Sequence, residues 1–544
     1  MGQERGVDCD VAVVGSGISG SLAAQELVRS GLRVIMLDVG FDDQGFRDRI
    51  PDQPFSELRR SDPNQRLYFL GPNLEGIPPR GVKVGAQLTP PRRHIQRNAD
   101  LLLPMEGDSF IPLQSVSVGG LGAGWGAACF TFSETELREA GIWDKSFPAL
   151  YQEAADIVGI SADPASAVNT HLWKDIRRHQ PALEIDSNAE RILQSYDRCR
   201  EALQSRGFWL GRIPMAILSE DMPPRRANPY FDMDFYSDSR RSIFRPSYLV
   251  EQLQRSPRFE YRRARLAIRF ESKPACVRVH AREVATNALE TCTARRVILC
   301  AGAINTARIA LNSLGLAGVP TTLLCNPYTY FPSVNVKMLG RAARDRRHSM
   351  AQIGGVLECP DGSGRVRGAF QMYSYRSLLV FKLVKEMALP ARQGLLVARC
   401  LLNSLAIFGI FFGDAQSEAK RLAIRETSES SSPLLHASYE LSAKEKADKL
   451  EAEKRLAAAM RRLWCVPIGK INPGNAGSIH YAGTIPFDNP LTPRFHCRPD
   501  STIEGAPGVY VGDSASWNSL PAKGLSFTLM ANAIRVARMA AGSL

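Results

Sequence analysis

A chain of 544 residues, 44% hydrophobic and 23% charged, is long enough to bury a large core and implies two domains. Its 68 Lys and Arg against 55 Asp and Glu leave a formal charge of +13, which favours anionic partners such as nucleotide cofactors, phosphosugars or acidic membrane surfaces. The arginines are scattered, with only short runs such as "MPPRRANPYF", which argues against nucleic acid. The eleven cysteines are dispersed without a CxxC pair, which argues against a disulfide framework or any metal site. The start, "MGQERGVDCD", is short and polar with no apolar signal core, so the expected location is cytoplasmic.

In chain order, "DCDVAVVGSGISGSLAAQELVRSGLRVIMLDVG" predicts a strand (Val11–Val14), a glycine turn, a helix (Ser19–Ser30) and a second strand (Arg33–Asp38). "PPRGVKVGAQLTPPRRH" reads as loop, and "SVSVGGLGAGWGAACFTFSETEL" is a second glycine cluster leading into a helix. Two helical patterns follow, "FPALYQEAADIVG" and "ERILQSYDRCREALQSRG", among irregular Pro-rich segments. "PACVRVHAREV" predicts a strand, and "TARRVILCAGAINTARIALNSLG" a strand, an Ala-Gly turn and a helix. Residues 320–475 have aromatic strands, an apolar block and the charged helix "SAKEKADKLEAEKRLAAAMRRLW". The tail, "GVYVGDSASWNSLPAKGLSFTLMANAIRVARMA", predicts strand, polar turn and long helix.

The apolar block Leu395–Phe412 is 18 residues long but carries Arg399, Asn403 and Ser404, so it is too short and too polar to span a bilayer. "SLLVFKLVKEMALP" before it is amphipathic. A core or substrate-pocket element is the plain reading of 378–412, and peripheral contact at the inner membrane face is the sharper one.

"GSGISG" is a GxGxxG turn in its proper context, after a strand, before a helix, and followed by Asp38 at the end of the next strand. Gly15 permits the tight turn, Gly17 lets the backbone approach a pyrophosphate, and Gly20 lets helix and strand pack closely. Ser19 lies in the helix's first turn, whose free N–H groups face the phosphates. Asp38 would accept from the ribose hydroxyls. NAD and FAD both satisfy this fingerprint.

Four segments together resemble the glucose–methanol–choline (GMC) family of FAD-dependent oxidoreductases: "VVGSGISG…LDVG", "VGGLGAGWGAACF", "RRVILCAGAINTARIAL", and the C-terminal pair "HYAGT" and "GVYVGDSA…FTLMANAIRVA". Residues 160–230 and 335–470 match only loosely. The resemblance implies an α/β fold: a Rossmann-like FAD-binding domain (1–155, 236–325 and 472–544) interleaved with a substrate-binding domain on an antiparallel sheet (156–235 and 326–471). It implies that Gly119 and Gly120 run along the flavin, that Ala301 and Gly302 lie near the adenosine half, and that Asp513 serves the ribityl–pyrophosphate part. Gly524, Leu525 and Ser526 would open the last helix toward the flavin pyrimidine. In some members a histidine before the Trp of the second glycine cluster bonds covalently to FAD. Here Gly124 precedes Trp125, so FAD is expected to be held noncovalently.

Alcohol oxidation on a flavin needs a group to take the hydroxyl proton, and a neutral imidazole suits it. The His of the family's HxxGT motif does this, and His480-Tyr-Ala-Gly483-Thr484 matches it. The family's second His or Asn falls at Gly524, so Asn518 in the adjacent turn, with Ser519 and Lys523 behind it, is the candidate substitute. The expected reaction is oxidation of a sugar, lipid-linked saccharide or specialised-metabolite alcohol, with oxygen, a quinone or another protein as electron acceptor. The alternative, which Gly524 motivates, is a flavin-binding scaffold or non-oxidative flavoenzyme.

Overall fold

The computed structural model describes residues 6–42, 46, 48–74, 89–174, 176–341, 347–374, 376–378, 389–426 and 431–544. Strand β1 (Cys9–Val14), helix α1 (Ile18–Arg29) and strand β2 (Val34–Leu37) form one β-α-β unit, as the first apolar runs predict. Both strands are almost wholly buried, which explains why they read as continuous apolar runs rather than alternating ones. Helix α2 (Phe147–Val158) follows, then β3 (Phe208–Arg212), which belongs to a second sheet. Strand β4 (Phe259–Arg262), the hairpin β5 (Arg265–Ser272) and β6 (Val277–Glu283), strand β7 (Leu289–Leu299) and helix α3 (Ala303–Ser313) complete the first half.

The later elements are β8 (Tyr328–Asn335), β9 (Ile353–Glu358), β10 (Val366–Tyr373), helix α4 (Ala391–Leu401) and β11 (Leu405–Phe412). After these come β12 (Lys420–Glu426), β13 (Leu434–Tyr439), helix α5 (Ala443–Arg462), β14 (Cys465–Pro467), β15 (Ala506–Val511) and helix α6 (Ser526–Gly542). Ser442 and Glu445 close a reciprocal capping box at the start of α5, satisfying two otherwise unpaired backbone donors.

Two large sheets result. In the first, β15, β7, β1, β2 and β4 run parallel in that order, with Val13 aligned to Ile298 on one side and Met36 on the other. Helices α1, α2 and α6 pack together on it, with Phe527 and Met530 of α6 fully buried. The second is antiparallel, in the order β14, β8, β11, β10, β9, β3. It packs over a core that includes Phe208, Phe370 and Phe408.

Two stretches differ from the sequence reading. Strands β12 and β13 leave the second sheet and pair with residues 321–322 and 105–106, and their side chains join the core beside α3. The apolar block divides: Leu405–Phe412 is interior strand β11, whereas α4 lies at the surface. Its preceding residues 379–388 fall outside the described residues. Among the described residues no helix is long and apolar enough to cross a membrane.

Candidate active site

The chain turns from β1 into α1 through Gly15, whose φ of +98° and neighbours leave no room for a side chain: a Cβ there would meet the Cys300 carbonyl oxygen at 2.6 Å. Gly20 is tighter still, since its Cβ would stand 1.9 Å from the Gly15 oxygen. At Gly17 the nearest atom to such a Cβ is 3.9 Å away, so this backbone is open to a ligand. No side chain caps the start of α1, and its first N–H groups remain for an anion.

A cleft enclosing about 2160 Å³, open solvent at its mouth included, runs from this turn across to the second sheet. Gly15, Gly17, Ser19 and Asp38 line one end, with Gly120, Gly124, Trp125, Ala301, Gly302 and Asp513 along it. Gly524, Leu525 and Ser526 meet it at the start of α6, and His480 lines the far part. Gly20 and Gly119 stand just behind the wall. The Gly119 N–H donates to Ser16 Oγ (2.8 Å), and the Ser16 hydroxyl donates to Asp38, which joins the two glycine loops.

Asp38 also accepts from the Tyr261 hydroxyl (2.9 Å), and its burial lifts its pKa to about 6 despite these donors. Asp513 is spent largely on protein: it accepts from the Gly302 N–H (2.9 Å), the Thr306 hydroxyl (2.6 Å) and the Ala515 N–H (2.9 Å). It thereby fixes the turn that presents Ala301 and Gly302. Burial lifts its pKa to about 6 as well.

The motif around His480 explains itself in three dimensions. Gly483 has φ +66° and packs where a Cβ would strike Leu324 at 2.6 Å. The Thr484 hydroxyl donates to the Ala303 carbonyl (2.6 Å), tying the turn to α3. Ile479, immediately before the histidine, sits at φ +63°, a left-handed conformation that costs a β-branched residue about 1–3 kcal/mol. The surrounding bonds hold it there.

Asn326 decides which imidazole nitrogen is available. Its Nδ2 donates to the carbonyls of Phe412 (2.7 Å) and Pro521 (2.9 Å), so its Oδ1 must be the acceptor that faces His480 Nδ1 at 3.0 Å. The proton therefore sits on Nδ1, and Nε2 carries the free lone pair. The Phe411 ring stacks on the imidazole at 4.7 Å, and burial lowers the His480 pKa to about 4, keeping it neutral at physiological pH.

Beyond His480 the cleft becomes an aromatic chamber. Alternate residues of β8, Tyr328 and Tyr330, and of β10, Gln371 and Tyr373, face it with Phe411 of β11. Tyr328 lies 4.5 Å from Tyr330 and 4.3 Å from Phe411, centroid to centroid. The Tyr373 hydroxyl donates to Gln371 Oε1. Burial raises the pKa of Tyr330, so its phenol stays protonated. A Cβ on Gly524 would meet nothing nearer than Phe130 at 3.5 Å, so the position has space but no functional group.

The substitutes considered for that position lie elsewhere. Asn518 does not line the cleft; its Oδ1 accepts from the Asp488 N–H (2.9 Å). Lys523 is buried against Glu136 at 2.7 Å. Sequence reasoning missed Asn326, Tyr261 and the chamber residues. The alternation in "YTYF" and "FQMY" is the one signal that could have placed the latter on a common face.

No family model and no curated protein matches this sequence. Solved structures do match its fold. One is a formate oxidase of Aspergillus oryzae RIB40, from work on modification of its FAD, with TM-score 0.59 and 12% identity over 99% of both chains. Another is pyridoxine 4-oxidase from Mesorbium loti, with TM-score 0.58 and 12% identity over 98% of this chain and 99% of that one. The chain shares its overall fold with these oxidases.

Proposed function

We propose that this chain is an FAD-dependent oxidoreductase of the GMC type that oxidises the hydroxyl of an uncharged alcohol to an aldehyde or ketone. The observation that carries this reading is the imidazole of His480, its Nδ1 proton fixed by Asn326, lining a cleft that also contains the GxGxxG turn. Both structural neighbours are oxidases and the formate oxidase carries FAD, which supports the flavin over NAD and favours oxygen as electron acceptor.

The residues present fit the cofactor. Gly15, Gly17, Ser19 and the open end of α1 would hold the pyrophosphate, Asp38 the ribose, and Gly119, Gly120 and Trp125 the length of the flavin. The start of α6, at Gly524 to Ser526, would direct its positive end at the ring. Gly124 offers no nucleophile or imidazole, consistent with noncovalent binding. Bound FAD supplies the hydride acceptor.

His480 Nε2 takes the hydroxyl proton, and the imidazolium then stabilises the developing oxyanion. Where Gly524 offers no side chain, Tyr330 and Gln371 are the chamber donors suited to orient the substrate oxygen. The charged lining residues, Asp38, Arg265, Arg308 and Asp513, belong to the nucleotide half, and no charged side chain lies among the chamber residues. Among the described residues, a phosphate or carboxylate would have no counter-ion there. A neutral ring-bearing alcohol, or the uncharged end of a larger sugar or lipid-linked molecule, fits.

Anaerobic mixing of the purified protein with neutral aromatic and alicyclic alcohols tests this. Visible flavin absorption should bleach with neutral alcohols and not with their phosphorylated counterparts. His480→Ala should slow bleaching by about 10²–10⁴-fold without reducing FAD content. Undiminished bleaching would remove His480 from the mechanism. A bound flavin that no alcohol reduces would favour the non-oxidative reading. Acid precipitation should leave the colour in the supernatant.

A further inference from the structure

One edge of the antiparallel sheet carries an apolar surface that the oxidation chemistry does not use. Val336 and Leu339 after β8, Leu395 and Leu396 on α4, and Val466 and Ile468 at β14 are all exposed, from 37% for Val336 to 60% for Ile468. They are contiguous through the backbone: the Val336 N–H donates to the Trp464 carbonyl (3.0 Å), Ile468 N–H to Pro332 (2.9 Å), and Gly340 N–H to Cys400 at the end of α4 (3.3 Å). Helix α4 buries only its small residues Gly394 and Ala398 between Arg392 and Cys400, leaving the rest of its surface outward.

The charge around this surface is predominantly basic. Residues 336–341 contribute Lys337 and Arg341, residues 389–402 contribute Arg392 and Arg399, and residues 461–474 contribute Arg461 and Arg462, with Lys470 paired to Glu453 on α5 (2.9 Å). None of the three segments contains Asp or Glu. Lys337 lies 4.7 Å above the Trp464 ring, an amphipathic pairing suited to a boundary between water and hydrocarbon.

We propose that this edge docks on an anionic phospholipid bilayer, with α4 and the β14 loop entering the headgroup layer and Lys337, Arg341, Arg392, Arg399, Arg461 and Arg462 facing the lipid phosphates. The same charge disfavours a second copy of this chain, because a two-fold pairing would set like charges against each other. The face is continuous with the chamber, since the Tyr330 and Ile471 backbones exchange hydrogen bonds at 2.9 Å in each direction. The proposal extends the sequence reading of 378–412: β11 drops out of the surface, and residues 336–341 and 461–474 enter it.

Vesicle sedimentation of the full chain tests it without reference to activity. Binding should be strong to phosphatidylcholine vesicles containing about a third phosphatidylglycerol, and at least about tenfold weaker to phosphatidylcholine alone or in high salt. Leu395→Glu with Ile468→Glu should weaken it by a similar factor, whereas Leu101→Glu, at an 80% exposed position far from these segments in sequence, should not. Cys400, the one exposed cysteine, can carry a polarity-sensitive dye whose emission should shift to the blue on binding. Absent or salt-independent binding, an unshifted dye, or a dimer that the double Glu variant dissolves would each overturn the proposal. The wild-type lipid and salt comparison stands even if the variant does not fold.

Discussion

The cleft is built in two ways. At the nucleotide end the fold withholds side chains: glycines at 15 and 17 and backbone N–H groups form the surface, with Gly20 packed directly behind it. At the chamber end the fold supplies them, as three tyrosines, a glutamine and a phenylalanine from three neighbouring strands. The first end tolerates almost no addition. The second can be trimmed by single atoms, which is how a common cofactor frame accommodates different substrates.

The sharpest way to break the contrast is Gly20→Ala. Its methyl would need to displace the Gly15 backbone, so the protein should purify colourless or unfolded, with cofactor affinity reduced by at least about 100-fold. A yellow, stable variant would show that the turn has slack. Asn326→Leu comes next: it removes the partner of two buried carbonyls and frees the imidazole to change tautomer. Stability should fall by about 2 kcal/mol and kcat by about 10–100-fold. Asn326→Asp separates positioning from packing, because a carboxylate beside Nδ1 favours the imidazolium and should move the acid limb of kcat/KM to higher pH.

At the chamber end, Tyr330→Phe should lower kcat/KM by about tenfold or less while FAD content and thermal midpoint stay unchanged. The smallest effects are in pH. With His480 near pKa 4, lowered from 6.5 by burial, the proposed base stays unprotonated down to mildly acidic conditions. Turnover of wild type should be nearly flat from pH 8 to 6 and fall only as pH approaches about 4. FAD rebinding to the apoprotein should weaken earlier, as pH falls through about 6, because Asp38 is then protonated and loses its anionic acceptor strength.

The same contrast explains what the sequence discloses. Gly15 and Gly483 are legible because they sit at positive-φ turns of short motifs, and Gly20 because it closes on Gly15 five residues away; together they mark β1, α1 and the histidine turn. The chamber is not, because the face of β8 and β10 that turns inward depends on strand order, and β3 joins that sheet from more than 100 residues upstream. Strands β12 and β13 carry ordinary alternation, yet pair with residues 321–322 and 105–106, a placement that periodicity alone does not encode. Asn326 is similarly hidden: an asparagine between a cysteine and a proline becomes meaningful only when two distant carbonyls and an imidazole converge on it.

That convergence has a consequence. The Phe412 carbonyl ends a strand of the antiparallel sheet, and the Pro521 carbonyl lies in the loop leading to the final helix. The carboxamide thus reinforces a junction that residues 414–415 and 519–520 already pair across, and the same contact sets the ring's protonation pattern. If that junction parted, the ladder and the carboxamide's two carbonyl bonds would break together and Nδ1 would lose its acceptor, so the imidazole's tautomer is tied to the closed arrangement of these two segments.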